Sequence, residues 1–197
     1  MSNRNLAYQA TATDEDYLEI ERLATEKSEL IGGIVVAMAG ASPNHNIITT
    51  NLVTEIRTQT KRTPCFPFSS DMRVKARKGN YYYPDVVVVC GERQFEDEEK
   101  DVLLNPKIII EVLSESTRLK DRNEKFDSYT TMPSVTNYIL IDQNLMRVEH
   151  FRRADDAEWK VQILSAKADK LILTSINCEI SLEDIYDEVI FTEQTIN

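Results

Sequence analysis

The chain is poor in the residues on which many binding and catalytic chemistries rest. Its five glycines in 197 residues, Gly32, Gly33, Gly40, Gly79 and Gly91, build no Gly-rich loop that could cradle phosphates with backbone amides. Three cysteines, Cys65, Cys90 and Cys178, are odd in number and widely scattered, and only His45 and His150 could add imidazole. Such spacing suits neither a disulfide framework nor a zinc motif with short Cys intervals. Apolar runs such as Ile34 to Ala39 and Val86 to Cys90 fall far short of the roughly 20 residues that cross a bilayer. Met1-Ser2-Asn3-Arg4-Asn5 lacks the apolar stretch of a secretory signal, so a cytoplasmic protein with no membrane partner is expected. Positive charge is outnumbered as well, with 23 Lys and Arg against 33 Asp and Glu. A net charge of −10 argues against a protein that grips nucleic acid over its whole surface, although it leaves room for a local basic cleft.

What is present suits one globular domain over residues 1–197, with a core from about 15 to 182, because 42% hydrophobic content can fill a sizeable interior. Carboxylates abound, so any metal site should use hard oxygen ligands for Mg²⁺ or Mn²⁺. The acid-rich stretch Glu92 to Asp101 reads as a solvated loop.

Periodicity predicts a helix over about Asp14 to Glu26, with Thr13 before it and Tyr17, Ile20, Leu23 and Ala24 at helical spacing. Glu29-Leu30-Ile31, Gly32-Gly33 and Ile34 to Met38 read as a hairpin turning on the glycines. Ser42 and Pro43 open a second helix whose buried stripe is Ile48, Leu52 and Ile56. A meander follows: a short strand between Pro64 and Pro67, another over Met72 to Arg77, a Gly79-Asn80 turn, and a strand over Tyr82 to Cys90. Lys107 to Leu113, a helix from about Arg118 to Thr131 and Tyr138 to Ile141 form a strand, helix, strand unit. Val148 to Arg152 and Trp159 to Leu164, around Asp155-Asp156, suggest a C-terminal β-hairpin extension before an amphipathic segment near Leu182 to Val189.

Two carboxylates stand out because they interrupt apolar strands: Asp85 in Tyr83-Pro84-Asp85-Val86-Val87 and Glu111 in Ile108-Ile109-Ile110-Glu111-Val112-Leu113. A buried carboxylate needs a cation or several donors, since an unpaired one costs several kcal/mol or more. An Asp after Pro can also cap a turn, whereas Glu111 has no solvated face by default. Lys125, four residues after Asp121, suits either a surface ion pair or a site cation. His45, on the Ile48 stripe, reads as a packed or capping histidine. Arg73, Lys75, Arg77 and Lys78, with Arg118, Lys120 and Arg122, are candidates for a basic rim.

Taken in order, Glu29 beside Gly32-Gly33, Ser42-Pro43-Asn44-His45, Asp71-Met72-Arg73-Val74, Tyr83-Pro84-Asp85-Val86, Ile110-Glu111-Val112-Leu113-Ser114, Ser116-Thr117, Asp121, Lys125, Tyr129 and Tyr138-Ile139-Leu140-Ile141-Asp142 resemble the Uma-type restriction endonuclease family. That family is a branch of the PD-(D/E)XK nucleases. The resemblance implies an α/β (α+β) fold with a mixed β-sheet flanked by helices, and a Mg²⁺- or Mn²⁺-dependent endonuclease acting on DNA. It implies Asp85 and Glu111 as metal ligands on neighbouring strands, Lys125 as a catalytic cation, and Glu29 and Asp71 in support. The usual lysine, two residues after the second acid, is here Leu113, so Lys125 would have to replace it. A non-catalytic interaction module that keeps the fold is the competing expectation. Oligomeric state is open, a homodimer included.

Overall fold

The Gly32-Gly33 pair makes the tightest turn near the start of the chain, and both residues have positive φ, +58° and +80°. Two successive positive φ values are what a two-residue hairpin turn of the right twist demands, and they cost glycine little. The computed structural model describes residues 10–115, 117–154 and 158–191. Met1 to Asn5, Ser116 and Asp155-Asp156 lie outside them.

Helix α1 (Asp14–Leu23) is capped by Thr13, whose hydroxyl accepts from the Asp16 amide, and it ends three residues earlier than its periodicity suggests. Strands β1 (Ser28–Ile31) and β2 (Ile34–Ala37) form the glycine hairpin. Helix α2 (Pro43–Gln59) starts on the Ser42 cap with Pro43 at its first position, where a missing N–H is harmless. Next come β3 (Cys65–Ser69), β4 (Arg73–Arg77), β5 (Asn80–Tyr82), β6 (Val86–Cys90), β7 (Val102–Leu103) and β8 (Ile108–Leu113).

The stretch read from sequence as one strand, Tyr82 to Cys90, is two strands in two sheets. β5 belongs to a five-stranded sheet of order β2-β1-β5-β4-β7, whereas β6 enters a six-stranded sheet. The break falls at Tyr83-Pro84-Asp85, where proline has no amide to offer a ladder. The six-stranded sheet has the order β11-β10-β9-β8-β6-β3, with β9 (Asn137–Asp142), β10 (Val148–Arg153) and β11 (Trp159–Leu164). β8 and β9 run parallel and the other neighbours antiparallel, which is the mixed sheet expected. The β10-β11 hairpin extends this sheet. A further hairpin, β12 (Lys170–Leu173) with β13 (Cys178–Ser181), and the short α5 (Leu182–Ile185) follow.

The helix expected from Arg118 to Thr131 is present but uneven: α3 (Arg118–Lys120), a π-helical turn (Asp121–Lys125) and α4 (Phe126–Thr130) run end to end. No described helix is long and apolar enough to cross a membrane.

Alternate side chains of β6, β8 and β9 serve two cores. Val86, Val88, Ile108, Ile110, Val112, Ile139 and Ile141 pack against Ile48, Leu52 and Ile56 of α2 on one face. Val87, Val89, Ile109, Leu113, Tyr138 and Leu140 pack with Tyr82 and Tyr129 on the other. Glu111, between Ile109 and Leu113 at period two, therefore points to the second face.

One reading of the composition is overturned. Cys65 and Cys90 are paired residues of β3 and β6, and their sulfurs are joined in a disulfide. Strand register brings together two cysteines 25 residues apart, which spacing alone does not reveal. Cys178 is free and buried.

His150 on β10 is buried, and its Nε2 lies 2.7 Å from Asn137 Oδ1. Burial, helped by Arg152, lowers its pKa to about 4. The unfolded chain therefore binds this proton first, so the contribution of His150 to stability is present above about pH 6.5 and is lost as pH falls toward 4. Urea denaturation of wild type and His150→Gln should show the wild type losing about 1.4 kcal/mol more per pH unit across that window. Parallel stability profiles would contradict the buried neutral imidazole.

Candidate active site

Four carboxylates and two ammonium groups meet where the two sheets approach each other. Glu111 is supplied by β8 and Glu29 by β1, and each is almost fully buried. Lys125 and Asp121 come from the π-helical turn, both buried. Asp85 sits immediately before β6, beside Glu111, because Val86 pairs with Ile110 in the antiparallel β6-β8 ladder.

The Lys125 ammonium is the hub. Its Nζ lies 3.0 Å from Glu29 Oε1, 3.1 Å from Glu111 Oε1 and 3.3 Å from Asp121 Oδ1, and it sits 5.6 Å from the centre of the Tyr82 ring. The i, i+4 pairing with Asp121 exists, but inside the protein and not on its surface. A second lysine, Lys120, donates to Glu29 Oε2 at 2.7 Å, and the Tyr83 amide donates to Glu29 Oε1 at 3.2 Å. Tyr138 donates its hydroxyl to the Asp121 carbonyl at 2.8 Å, giving a backbone acceptor of the π turn a partner within the core.

One ammonium cannot offset three carboxylates. Burial raises the pKa of Glu111 well above the ordinary carboxylate value, against the pull of Lys125, and the neighbouring Asp121, Asp85 and Glu29 raise it further. Asp121 is raised by burial too, again against Lys125. Burial would also raise Glu29, but Lys125 and Lys120 together outweigh it and hold Glu29 low. For Lys125 burial favours the neutral amine, yet Glu111, Glu29 and Asp121 hold its pKa well above the usual lysine value. Glu29 is thus the ionised partner, Lys125 the fixed cation, and Glu111 the carboxylate that most needs another positive charge.

Asp85 is held from both sides. Its Oδ2 accepts the Val112 amide at 2.7 Å, and its Oδ1 lies 2.8 Å from His45 Nε2. Each oxygen keeps a lone pair, and Glu111 Oε2 takes no hydrogen bond among the described residues. No three His, Cys, Asp or Glu side chains form a metal cage among the described residues. Two carboxylates with free lone pairs in a site of surplus negative charge nevertheless fit Mg²⁺ or Mn²⁺, since Mg²⁺ typically takes one or two carboxylates and completes its shell with water and phosphate oxygens. Asp85 and Glu111 would hold it.

The placement of the other expected residues is mixed. Leu113 is packed in the second core, and its carbonyl accepts from Gln143 Nε2 at 3.1 Å. Lys125 comes to Glu111 from the helix, so the position two residues after the acid supplies packing and no charge. The structure does not bring Asp71 to the other acids: its side chain is 88% exposed and pairs with Lys27 at 2.7 Å. β4, which follows Asp71, pairs with β5 and β7, not with β6.

Much of the basic rim is engaged in ion pairs, while Arg77 and Lys78 are exposed. Arg73 is buried against Asp101 at 2.6 Å, and Lys75 bridges Asp14 and Glu96. Arg118 pairs with Asp142 at 2.6 Å and Arg122 with Glu149. The acidic stretch expected to be a solvated loop supplies part of these partners: Asp97 and Asp101 also clamp Arg22. Sequence reasoning set His45 aside. Its stripe on α2 was visible, but its partner Asp85 lies 40 residues away and only the fold brings the two together.

The chain is similar to known proteins in sequence and in fold. The family model Uma2, described as "Putative restriction endonuclease", matches residues 14–183. The uncharacterized protein sll1609 of Synechocystis is 43% identical over 148 residues, covering 75% of this chain and 84% of that protein. A second uncharacterized Synechocystis protein, slr1290, is 31% identical over 178 residues, 90% of this chain and 92% of its own length. Among solved structures, a crystal structure titled as a putative nuclease of DUF820 from Anabaena variabilis superposes with a TM-score of 0.76 at 18% identity. It covers 91% of this chain and 99% of that one, a likeness of fold.

Removing the hub should cost stability in a pH-dependent way. Lys125→Met leaves Glu111 and Asp121 buried with no cation, so at pH 8 denaturant melts should show a loss of about 3–5 kcal/mol. A carboxyl group whose pKa is raised by folding destabilises the fold only above its unfolded value, so the deficit should shrink as pH falls toward 5. A loss below about 1 kcal/mol at both pH values would contradict the account of a buried cluster held by one ammonium.

Proposed function

The chain belongs to the Uma2 restriction endonuclease family, and from that premise we propose that it is a Mg²⁺- or Mn²⁺-dependent endonuclease hydrolysing phosphodiester bonds of cytoplasmic DNA. The observation that carries this reading is the Lys125 ammonium within 3.1 Å of Glu111, a carboxylate placed beside Asp85 on the neighbouring strand. It supplies, from the helix, the cation that Leu113 does not.

In this reading Asp85 and Glu111 bind the metal, which when present supplies Lewis-acid stabilisation of phosphate charge and a more acidic water. Glu29 stays ionised and anchors Lys125 and Lys120. Lys125 holds its ammonium, in a water-poor site, where negative charge develops on the phosphate oxygens. A positive group fixed in advance is worth more there than in solvent, because nothing has to reorganise as the charge forms. Tyr82, Tyr129 and Tyr138 pack together in the core beside the cluster, and the Tyr82 ring faces the Lys125 ammonium.

A second reading is favoured by a specific observation: most of the candidate phosphate-binding cations are tied up in ion pairs within the protein. It makes the chain an interaction module that keeps the nuclease fold without cutting. The assay that separates the two uses single- and double-stranded DNA with Mg²⁺ or Mn²⁺, and compares wild type with Asp85→Ala, Glu111→Ala and Lys125→Ala at a temperature where circular dichroism shows each folded. Cleavage by wild type, reduced about 100-fold or more in each variant with DNA binding retained by Lys125→Ala, is the expected result. Wild-type cleavage that survives in Lys125→Ala would remove the lysine from the mechanism, and no cleavage by wild type would favour the interaction module.

A further inference from the structure

The two histidines of the chain are used differently. His150 is locked in the core against an asparagine, whereas His45 keeps its side chain 16% exposed and faces a carboxylate of the candidate site, Asp85. His45 stands three residues before Ile48, so it prolongs the stripe by which α2 packs on the large sheet. Where the apolar core ends, the stripe continues as an imidazole over Asp85.

Its position is set independently of Asp85. Ser42 Oγ accepts the His45 amide at 3.1 Å and also donates to Gln143 Oε1. Gln143 in turn donates through Nε2 to the Leu113 carbonyl at the end of β8. The first turn of α2 is therefore tied to the strand that carries Glu111. His45 Nε2 and Asp85 Oδ1 stand 2.8 Å apart, a hydrogen-bond distance for an imidazole N–H donating to a carboxylate oxygen.

We propose, resting on the metal site described above, that His45 is a positioning residue: it fixes the plane of the Asp85 carboxylate so that the carboxylate meets a divalent cation in the right orientation. The terminal torsion of an aspartate is soft, and the Val112 amide alone restrains only Oδ2. A second donor, on Oδ1 and from a different element, removes that freedom before the cation arrives. This is the arrangement by which an outer hydrogen-bond partner raises metal affinity, with losses of about 10–100-fold when it is removed.

The test is Mn²⁺ titration of the full chain without DNA, following free Mn²⁺ by electron paramagnetic resonance, for wild type, His45→Leu, His45→Asn, His45→Gln and Glu111→Ala. Leucine fills the space without a donor, and the asparagine amide is too short to reach Asp85, so one remains informative if the other fails to fold. Glutamine can place its amide nitrogen near the position of Nε2. The expected result is tight binding by wild type, a dissociation constant raised about tenfold or more in His45→Leu and His45→Asn, and recovery to within about threefold in His45→Gln. Equal binding by wild type and the donor-less variants would overturn the positioning role while leaving the metal site intact. Equal weakening by all three substitutions would overturn it too, by showing that His45 acts through packing. Failure of wild type itself to bind, or undiminished binding by Glu111→Ala, would sink the metal site and this inference with it.

Discussion

The placement of a single ammonium group governs this structure. Glu29, Glu111 and Asp121 are carried into the interior by a hairpin strand, a central strand and a helical turn, and none of them could stay there unpaired. Lys125 meets all three, and Lys120 adds a second charge to Glu29. Replacing such a cluster with apolar side chains is often neutral or stabilising in other proteins, so stability alone gives little reason to keep it. A buried cluster of this kind marks a candidate functional site.

The topology explains how the cluster is assembled. The chain leaves the small sheet at Tyr82, crosses at Tyr83-Pro84-Asp85 and enters the large sheet at Val86. Asp85 thus lies at the junction of the two sheets, where it can reach α2 on one side and β8 on the other. The same crossing puts the Tyr83 amide on Glu29, so a single tripeptide links the acids of both sheets. The disulfide between Cys65 and Cys90 ties the far end of β6 to the edge strand β3.

Much of this was legible before the fold was known. The Gly32-Gly33 turn, the Ser42-Pro43 helix start and the run around Glu111 each carry a local signal strong enough to survive folding. Lys125 was ambiguous because Asp121, one turn before it, suits a surface pair as well as a buried one, and only burial decides between them. What stayed hidden depends on pairing between distant segments. Cys65 and Cys90 meet through strand register, and His45 meets Asp85 through the packing of α2. Arg73 and Lys75 read as free cations because Asp101 and Glu96, their partners, lay in a stretch that looked like solvent-facing acid. Asp71 was expected in support of the site through the family resemblance, but it precedes β4 in the small sheet, and its exposed carboxylate pairs with Lys27.

The central claim is that Asp85 and Glu111 share one hard cation, with Lys125 beside it. Anomalous diffraction from crystals soaked in Mn²⁺ tests this directly, because the peak locates the metal without reference to activity. The account predicts one strong peak within about 2.0–2.4 Å of an oxygen of each carboxylate, with the Lys125 ammonium still in contact with Glu29. A peak elsewhere, or none between Asp85 and Glu111 in crystals that take up Mn²⁺ at other positions, would contradict it.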